Sequence, residues 1–512
     1  MATTQSHLSQ QNVQETKKQG LKAPSIQLLI IFYLISLAFV LGTTWPWPRD
    51  PDIWWHLKTG QWVLSHQAVP WSDPFGANTQ GVQWIAYSWL AEILFHGIEQ
   101  AQPIVGLNLL QGLIFAATIG ILLFHAFARS GSFRSAILLT SVFLVPMTPW
   151  VARPQIFSFL FTALTMLILW WGQHRNAKVL WLLPLLIVLW ANIHVYFIVG
   201  FGLIALHFLE AWKKLPEQRR SYFFLLLLCI LAPLLNPYGI HLYQEVFLLA
   251  KHASEGWEAD VIRELASPNF HDWPMKIFFV WVVLQCAILM MSEKRVSLVT
   301  LILFIGLLHQ AFQHVRDIPY FVIIMLPILA DHLTQLPWQK WRDFFQQGRY
   351  STWLRLSVPK GLIHWVVACG VIPAMLVLPY RILHYPTEYR RTEMTGAVEY
   401  LLKAKPSGPL YHSLNWGGYF IYALTPLYKV YIDGRTQLYS RKFWEANDRI
   451  RFGRSDWESQ LDKTGARTVV WKKDDPLASL LQLSPHWTLA WSDKHVVIFV
   501  KCTPWKTVCG IN

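Results

Sequence analysis

The chain has 512 residues, 54% of them apolar and only 14% charged, with a formal net charge of +14. A soluble globular protein of this length would carry about 25% charged residues, so the composition excludes an ordinary soluble enzyme. The excess of lysine and arginine is scattered over short loops between apolar runs, which excludes a nucleic-acid-binding surface and reads instead as membrane topology.

Residues 1–24 form a polar tail rich in Gln, Ser and Lys. A membrane-spanning helix needs roughly 20 apolar residues. On that criterion the spans fall at 25–44, 104–126, 135–149, 154–172, 179–193, 195–212, 221–236, 274–292, 296–312, 317–334 and 361–380. The first run is too long for a signal-peptide core, and no cleavable leader is expected. The expected fold is therefore mainly α: a bundle of about 11 spans over 25–380. Basic pairs such as Lys17-Lys18, Lys213-Lys214, Arg219-Arg220 and Lys294-Arg295 then share the N-terminal side. The positive-inside rule makes that side cytoplasmic. An odd span count puts residues 381–512 on the opposite, extracytoplasmic side.

Residues 84–100 decide this topology. Ser88, Glu92, His96 and Glu99 recur at helical spacing and give a polar stripe, so the segment reads as a helix lying in the outer interface rather than a span. Residues 335–360 mix tryptophans with basic residues; an interfacial helix and a plain polar loop both fit. The last 132 residues look like a small α/β domain. Strands are expected at Leu410–Ser413, Lys429–Asp433, Thr468–Lys472, Trp487–Trp491 and His495–Val500, with helices at 392–404, 440–452 and 475–483. Gly417-Gly418 reads as a turn. Cys502 and Cys509 could pair if this end is extracytoplasmic.

The chemistry gathers in the exterior segments, the first loop 45–103 and the loop 237–273. The run Asp50-Pro-Asp52-Ile-Trp54-Trp55-His56 opens the first loop. A carboxylate at a membrane surface can take a proton from an acceptor hydroxyl or amide. Burial by Trp54 and Trp55 would raise its pKa, and Arg49 or Lys58 would lower it. The pair could also hold a divalent cation, Mg or Mn, or be no more than a solvated turn in a tryptophan belt. Arg153, His194, Glu264, His314 and Arg316 sit at other outer ends, where ionisable residues are costly unless used. Arginine suits bidentate recognition of phosphate. Asp433-Gly-Arg435 reads either as a salt-bridged turn or as a contact for an acceptor or partner.

An acidic Asp-x-Asp pair in the first loop, an interfacial helix after it, many spans and a C-terminal exterior domain together resemble the GT-C glycosyltransferases. That class includes protein O-mannosyltransferases, lipid A aminoarabinose transferases and oligosaccharyltransferase catalytic subunits. Asp73-Pro-Phe75, Arg153-Pro-Gln, Asn192-Ile-His194, Asn236-Pro-Tyr-Gly, His314-Val-Arg316 and Trp416-Gly-Gly-Tyr419 are similar to segments of uncharacterised bacterial members. The resemblance implies a polyprenyl-phosphate-linked sugar as donor and transfer at the outer face of the plasma membrane. Asp52, or failing it Asp50, is then the base. Arg153, His194, His314 and Arg316 would meet the lipid phosphate, and Trp54 and Trp55 would stack on sugar or isoprenoid, with His56 and Glu264 beside them. The chain lacks a Trp-Trp-Asp-Tyr sequon-reading run, which argues against protein N-glycosylation. A transporter or flippase, and a non-catalytic subunit of a polysaccharide assembly, are the rival readings.

Overall fold

The computed structural model describes residues 50–103, 105–132, 135–136, 152–214, 216–256, 262–341 and 394–502. The spans expected at 25–44 and 361–380, nearly all of 135–149, and Cys509 lie outside these residues.

Among the described residues, five helical segments are long and apolar enough to cross a membrane: Val105–Ser130, Gln155–His174, Pro216–Leu235, Trp273–Met291 and Val315–Thr334. Three shorter apolar ones, Ala177–Ile193, Phe197–Trp212 and Leu298–Gln313, match further expected spans. The helices of this bundle are α3 (Val105–Ser130), α4 (Gln155–His174), α5 (Leu182–Ile193), α6 (Phe197–Lys214), α7 (Arg219–Leu231), α9 (Trp273–Met291), α10 (Leu298–Gln313) and α11 (Ile318–Thr334). Before α3 come α1 (Ile53–His66) and α2 (Trp89–Ala101), and α8 (His241–Glu255) follows α7. Helix α11 is the axis of the bundle: 78% of its apolar window is buried, against 28% for the segments around α7 and α9. Those two present Phe223, Phe224, Phe279 and Val283 outward, as a lipid-facing helix does.

Helix α2 is 13 residues long, about 20 Å at 1.5 Å per residue, too short to span. It packs along α1 instead. The approach is possible because Gly60 has no side chain: a Cβ there would strike the Glu92 carbonyl.

The C-terminal region holds a four-stranded sheet in the order β1-β2-β4-β3, from β1 (Leu410–His412), β2 (Thr468–Lys472), β3 (Trp487–Ser492) and β4 (Val496–Lys501). β1 runs parallel to β2, and the other pairs are antiparallel. Helices α12 (Thr395–Ala404), α13 (Leu414–Leu424), α14 (Arg441–Arg451), α15 (Trp457–Lys463) and α16 (Pro476–Leu483) surround it.

Two expectations fail here for a shared reason. Residues 429–433 do not join the sheet. Val430 instead exchanges backbone hydrogen bonds with the first loop, donating to Phe75 (3.1 Å) and accepting from Ala77 (2.8 Å). Gly417-Gly418 is not a turn but the middle of α13. A Cβ at Gly417 would strike the Ile432 carbonyl, and one at Gly418 the Pro51 carbonyl. In both cases a contact with a distant segment overrides the local signal.

Candidate active site at the Arg153 end of the bundle

Asp50 and Asp52 stand at the entrance to α1. Asp52 occupies the N-cap position, where an aspartate usually accepts a hydrogen bond from the helix backbone. Its side chain makes no such bond. Asp50 accepts from the Asp52 backbone N–H at 3.1 Å, and the Asp52 carboxylate meets Arg153.

Arg153 is the hub. It sits just before α4, held by the Arg153-Pro154 turn that starts this helix. Its guanidinium forms an ion pair with Asp50 through Nε and donates from Nη2 to Asp50 at 2.8 Å. Nη2 also lies 3.0 Å from Asp52 Oδ2, and Nη1 pairs with Glu264. One cation thus serves three carboxylates. Burial pushes the Asp52 carboxyl up to about 6, against the pull of Arg153 and with help from the Asp50 charge. Glu264 ends below its ordinary value: burial opposes this, but the charges of Arg153 and Arg316 prevail. The Arg153, Glu264 and Asp52 side chains keep 23%, 36% and 18% of their exposure, whereas Asp50 keeps 1%. The cluster is therefore reachable from one side.

The remaining candidates fall into two sets. His194 and Arg316 stand near this hub. The His194 ring stacks on Tyr196 at 5.2 Å and shares a 2.8 Å hydrogen bond with Ser158 through Nδ1. Burial, with the nearby Arg316 and Arg153 charges, drives its pKa down to about 3, so it is a neutral imidazole. Arg316 lies over the Tyr196 ring at 5.4 Å, and its Nε is buried without an acceptor among the described residues. Tyr196 donates to Asp317 at 2.9 Å.

The others are occupied by packing. Trp54 meets Tyr419 and Tyr422 of α13, each at 5.1 Å. Trp55 is packed against Trp84 and His56. His56 shares a buried 2.9 Å hydrogen bond with Glu92. Burial lowers the histidine pKa and raises that of the glutamate, so the pair is held as neutral partners. His314 hydrogen-bonds the Leu265 carbonyl through Nδ1 at 2.8 Å, pinning the segment that carries Glu264. Among the described residues no group of three or more His, Cys, Asp or Glu side chains could hold a metal ion. The cationic position between Asp50, Asp52 and Glu264 belongs to Arg153.

Sequence reasoning missed how the C-terminal domain closes the site. Asp433-Gly434-Arg435 lies directly against it: a Cβ on Gly434 would collide with the Asp52 carboxylate and approach the Trp55 indole nitrogen. Arg435 is sealed from solvent. It pairs bidentately with Asp433 (Nε to Oδ1 and Nη2 to Oδ2, both 2.8 Å) and reaches Asp73 of the first loop through Nη1 at 2.5 Å. Its guanidinium lies 4.5 Å from the Trp84 ring centroid and 5.3 Å from that of Phe75. Asp73 in turn accepts the backbone N–H groups of Phe75 and Gly76, each at 3.0 Å. Glu245 falls within the long loop 237–273 by sequence. It is largely buried on α8, and burial lifts its pKa to about 7.

No protein-family model matches the sequence, and no curated protein does. Solved structures are similar to it. The oligosaccharyltransferase of Archaeoglobus fulgidus in its apo form aligns with a TM-score of 0.52 at 11% identity, over 88% of this chain and 70% of that one. ArnT from Cupriavidus metallidurans, bound to undecaprenyl phosphate, aligns at 0.49 with 13% identity, over 94% of this chain and 98% of that one. The Archaeoglobus fulgidus oligosaccharyltransferase AglB with an inhibitory peptide and a dolichol-phosphate aligns at 0.47 with 10% identity, over 87% and 69%. At such identities the likeness concerns the fold, and the fold of this multi-pass chain is similar to that of the GT-C glycosyltransferases.

Proposed function

We propose that this chain is a membrane glycosyltransferase that moves a sugar from a polyprenyl-phosphate donor to an acceptor at the Arg153 end of the bundle, with Asp52 as general base. The observation that carries the reading is the state of Asp52. It is a partly exposed carboxylate, spared from helix capping, with a pKa of about 6 and an arginine 3.0 Å away. A base acts best with a pKa near the working pH. Above about pH 6, Asp52 would be ionised and could take the proton of an acceptor hydroxyl or amine as that atom attacks the anomeric carbon. The polyprenyl phosphate would leave from the opposite face with inversion. Arg153 and Arg316 would hold its charge, fixed in place before the reaction begins. Neutral His194 would donate a hydrogen bond, with Ser158 setting its tautomer. Asp50 and Glu264 would keep Arg153 oriented.

The reading places the N-terminus in the cytoplasm of a bacterial cell, with residues 381–512 and the Arg153 end outside the plasma membrane. It takes the full bundle to be about 11 spans. The test is donor turnover in liposomes with a panel of polyprenyl-phosphate sugars, following release of polyprenyl phosphate. Turnover that is lost in Asp52→Asn, with the variant folded, supports the base. Loss in Asp50→Asn alone would keep the reaction and move the base to Asp50. Equal turnover in the wild type and both variants would remove this loop from the chemistry.

A further inference from the structure

The other end of the bundle holds a feature that the transfer reaction does not use. Helix α4 begins beside Arg153 and ends at His174, about 28 Å further along at 1.5 Å per residue. Around that far end lies a partly open cavity of about 250 Å³. Arg129, His174, His207, Lys294, Arg295 and His332 are among its polar lining, together with the carboxylate of Glu210, and Leu169, Leu206 and Leu303 are among its apolar walls. The cations outnumber the nearby carboxylates before any histidine takes a proton. Among the described residues, the carboxylates acting on Arg129 are Asp331 and Glu210, and Lys294 pairs with Asp331.

Asp331 is shared between two cations. It sits 2.5 Å from Lys294 and 3.6 Å from Arg129, and 3.6 Å is beyond a hydrogen bond. Among the described residues, Arg129 Nε is buried without an acceptor. A buried donor left unmatched calls for an explanation, and here an anion beside the guanidinium would provide one. The volume equals roughly eight water molecules at about 30 Å³ each. That is enough for a phosphate group and the first atoms attached to it, and too small for a lipid-linked sugar. Basic pockets between membrane helices bind lipid headgroups.

We propose that this cavity binds a phosphate group carried by an anionic lipid, with Arg129, Lys294 and Arg295 as its charge partners and the leucine walls receiving the start of the lipid's apolar part. The site is separate from the Arg153 cluster and does not depend on the transfer reaction.

The test uses the full chain in detergent, with native mass spectrometry reading the bound fraction. The probes are dioctanoyl phosphatidic acid, dioctanoyl phosphatidylcholine and inorganic phosphate. Phosphatidic acid is expected to bind at least tenfold more tightly than phosphatidylcholine. Affinity should fall about tenfold in the double variant Lys294→Gln/Arg295→Gln, and by a similar factor in Leu206→Trp, which fills the cavity and leaves every charge in place. Leu206→Phe serves if the tryptophan variant does not fold. Competition by inorganic phosphate at equal concentration would keep the anion site and replace the lipid with free phosphate. Phosphatidic acid binding unchanged in both the charge and the filling variants, or no preference over phosphatidylcholine, would overturn the proposal.

Discussion

Two arginines of this molecule each meet carboxylates of the first loop, and they come to opposite ends. Arg435 has no exposure, binds Asp433 bidentately and reaches Asp73, and a tyrosine hydroxyl and a backbone N–H add to the bonds on Asp433. The Asp433 carboxyl stays below its ordinary value: burial opposes this, and the charge and hydrogen bonds of Arg435 outweigh it. Arg153 divides itself among three carboxylates, stays partly exposed and leaves Asp52 at about 6. The same pair of residue types thus makes a lock where every lone pair is matched, and a titrating group where one cation is shared too widely.

Breaking the lock should have the largest effect on stability. Arg435→Ala would leave Asp433 and Asp73 buried without their cation, at a cost of roughly 3–5 kcal/mol. The expected outcome is a lower unfolding temperature and proteolytic cleavage between the bundle and the C-terminal domain, with Arg435→Lys intermediate because it lacks the bidentate fork. A variant as protease-resistant as wild type would mean that other contacts carry the docking.

At the open site the largest effect should be on rate. Asp52→Asn is expected to reduce turnover about 10²–10⁴-fold. It should not destabilise, because the wild-type carboxylate is ionised at neutral pH against its own burial. The shift from 3.8 to about 6 corresponds to roughly 3 kcal/mol as an upper value. The sign follows from the direction: a carboxyl whose folded pKa is raised favours the folded state at low pH, and that advantage disappears as pH climbs through about 6. Asp52→Asn should therefore unfold at or above the wild-type temperature at pH 7, with the gap closing towards pH 4. A marked loss of stability at pH 7 would make Asp52 structural.

Gly434→Ala tests whether the two regions communicate. The added methyl would meet the Asp52 carboxylate, so turnover should fall about tenfold with the domain still docked, as limited proteolysis would show. The smallest effect should come from Glu264→Gln. Its charge helps to raise Asp52, so the acidic limb of the rate profile should move below pH 6 in the variant. Movement upward would contradict the charge arrangement described for Arg153.

Part of this was legible in the sequence. Long apolar runs announce the helices, because a span must satisfy its backbone internally and face lipid with apolar side chains. The polar stripe of Glu92 and Glu99 marked α2 as something other than a span, and both side chains are buried. Asp50, Asp52 and Arg153 could be singled out as chemically useful, but not as partners, since 103 residues separate Asp50 from Arg153. The errors share that origin. Val430-Tyr431-Ile432 alternates like a strand, yet its backbone partners lie in the first loop. Gly417-Gly418 looks like a turn until the close approach of Pro51 explains it. The contacts of Trp54 and Trp55 with α13 were equally out of reach, since that helix lies hundreds of positions further along the chain.

The tie between Asp73 and Arg435 also has a schedule. The two residues are 362 positions apart, and chains grow at roughly 5–20 residues per second, so the first loop exists for roughly 20–70 s before its arginine has been made. During that interval the Asp73 turn can already form from its local bonds to Phe75 and Gly76, but Phe75 and Trp84 lack the guanidinium that later covers them. The Asp73 turn is therefore completed only after residue 435 has been made, and a chain stalled short of residue 435 would carry a candidate active site without its lid.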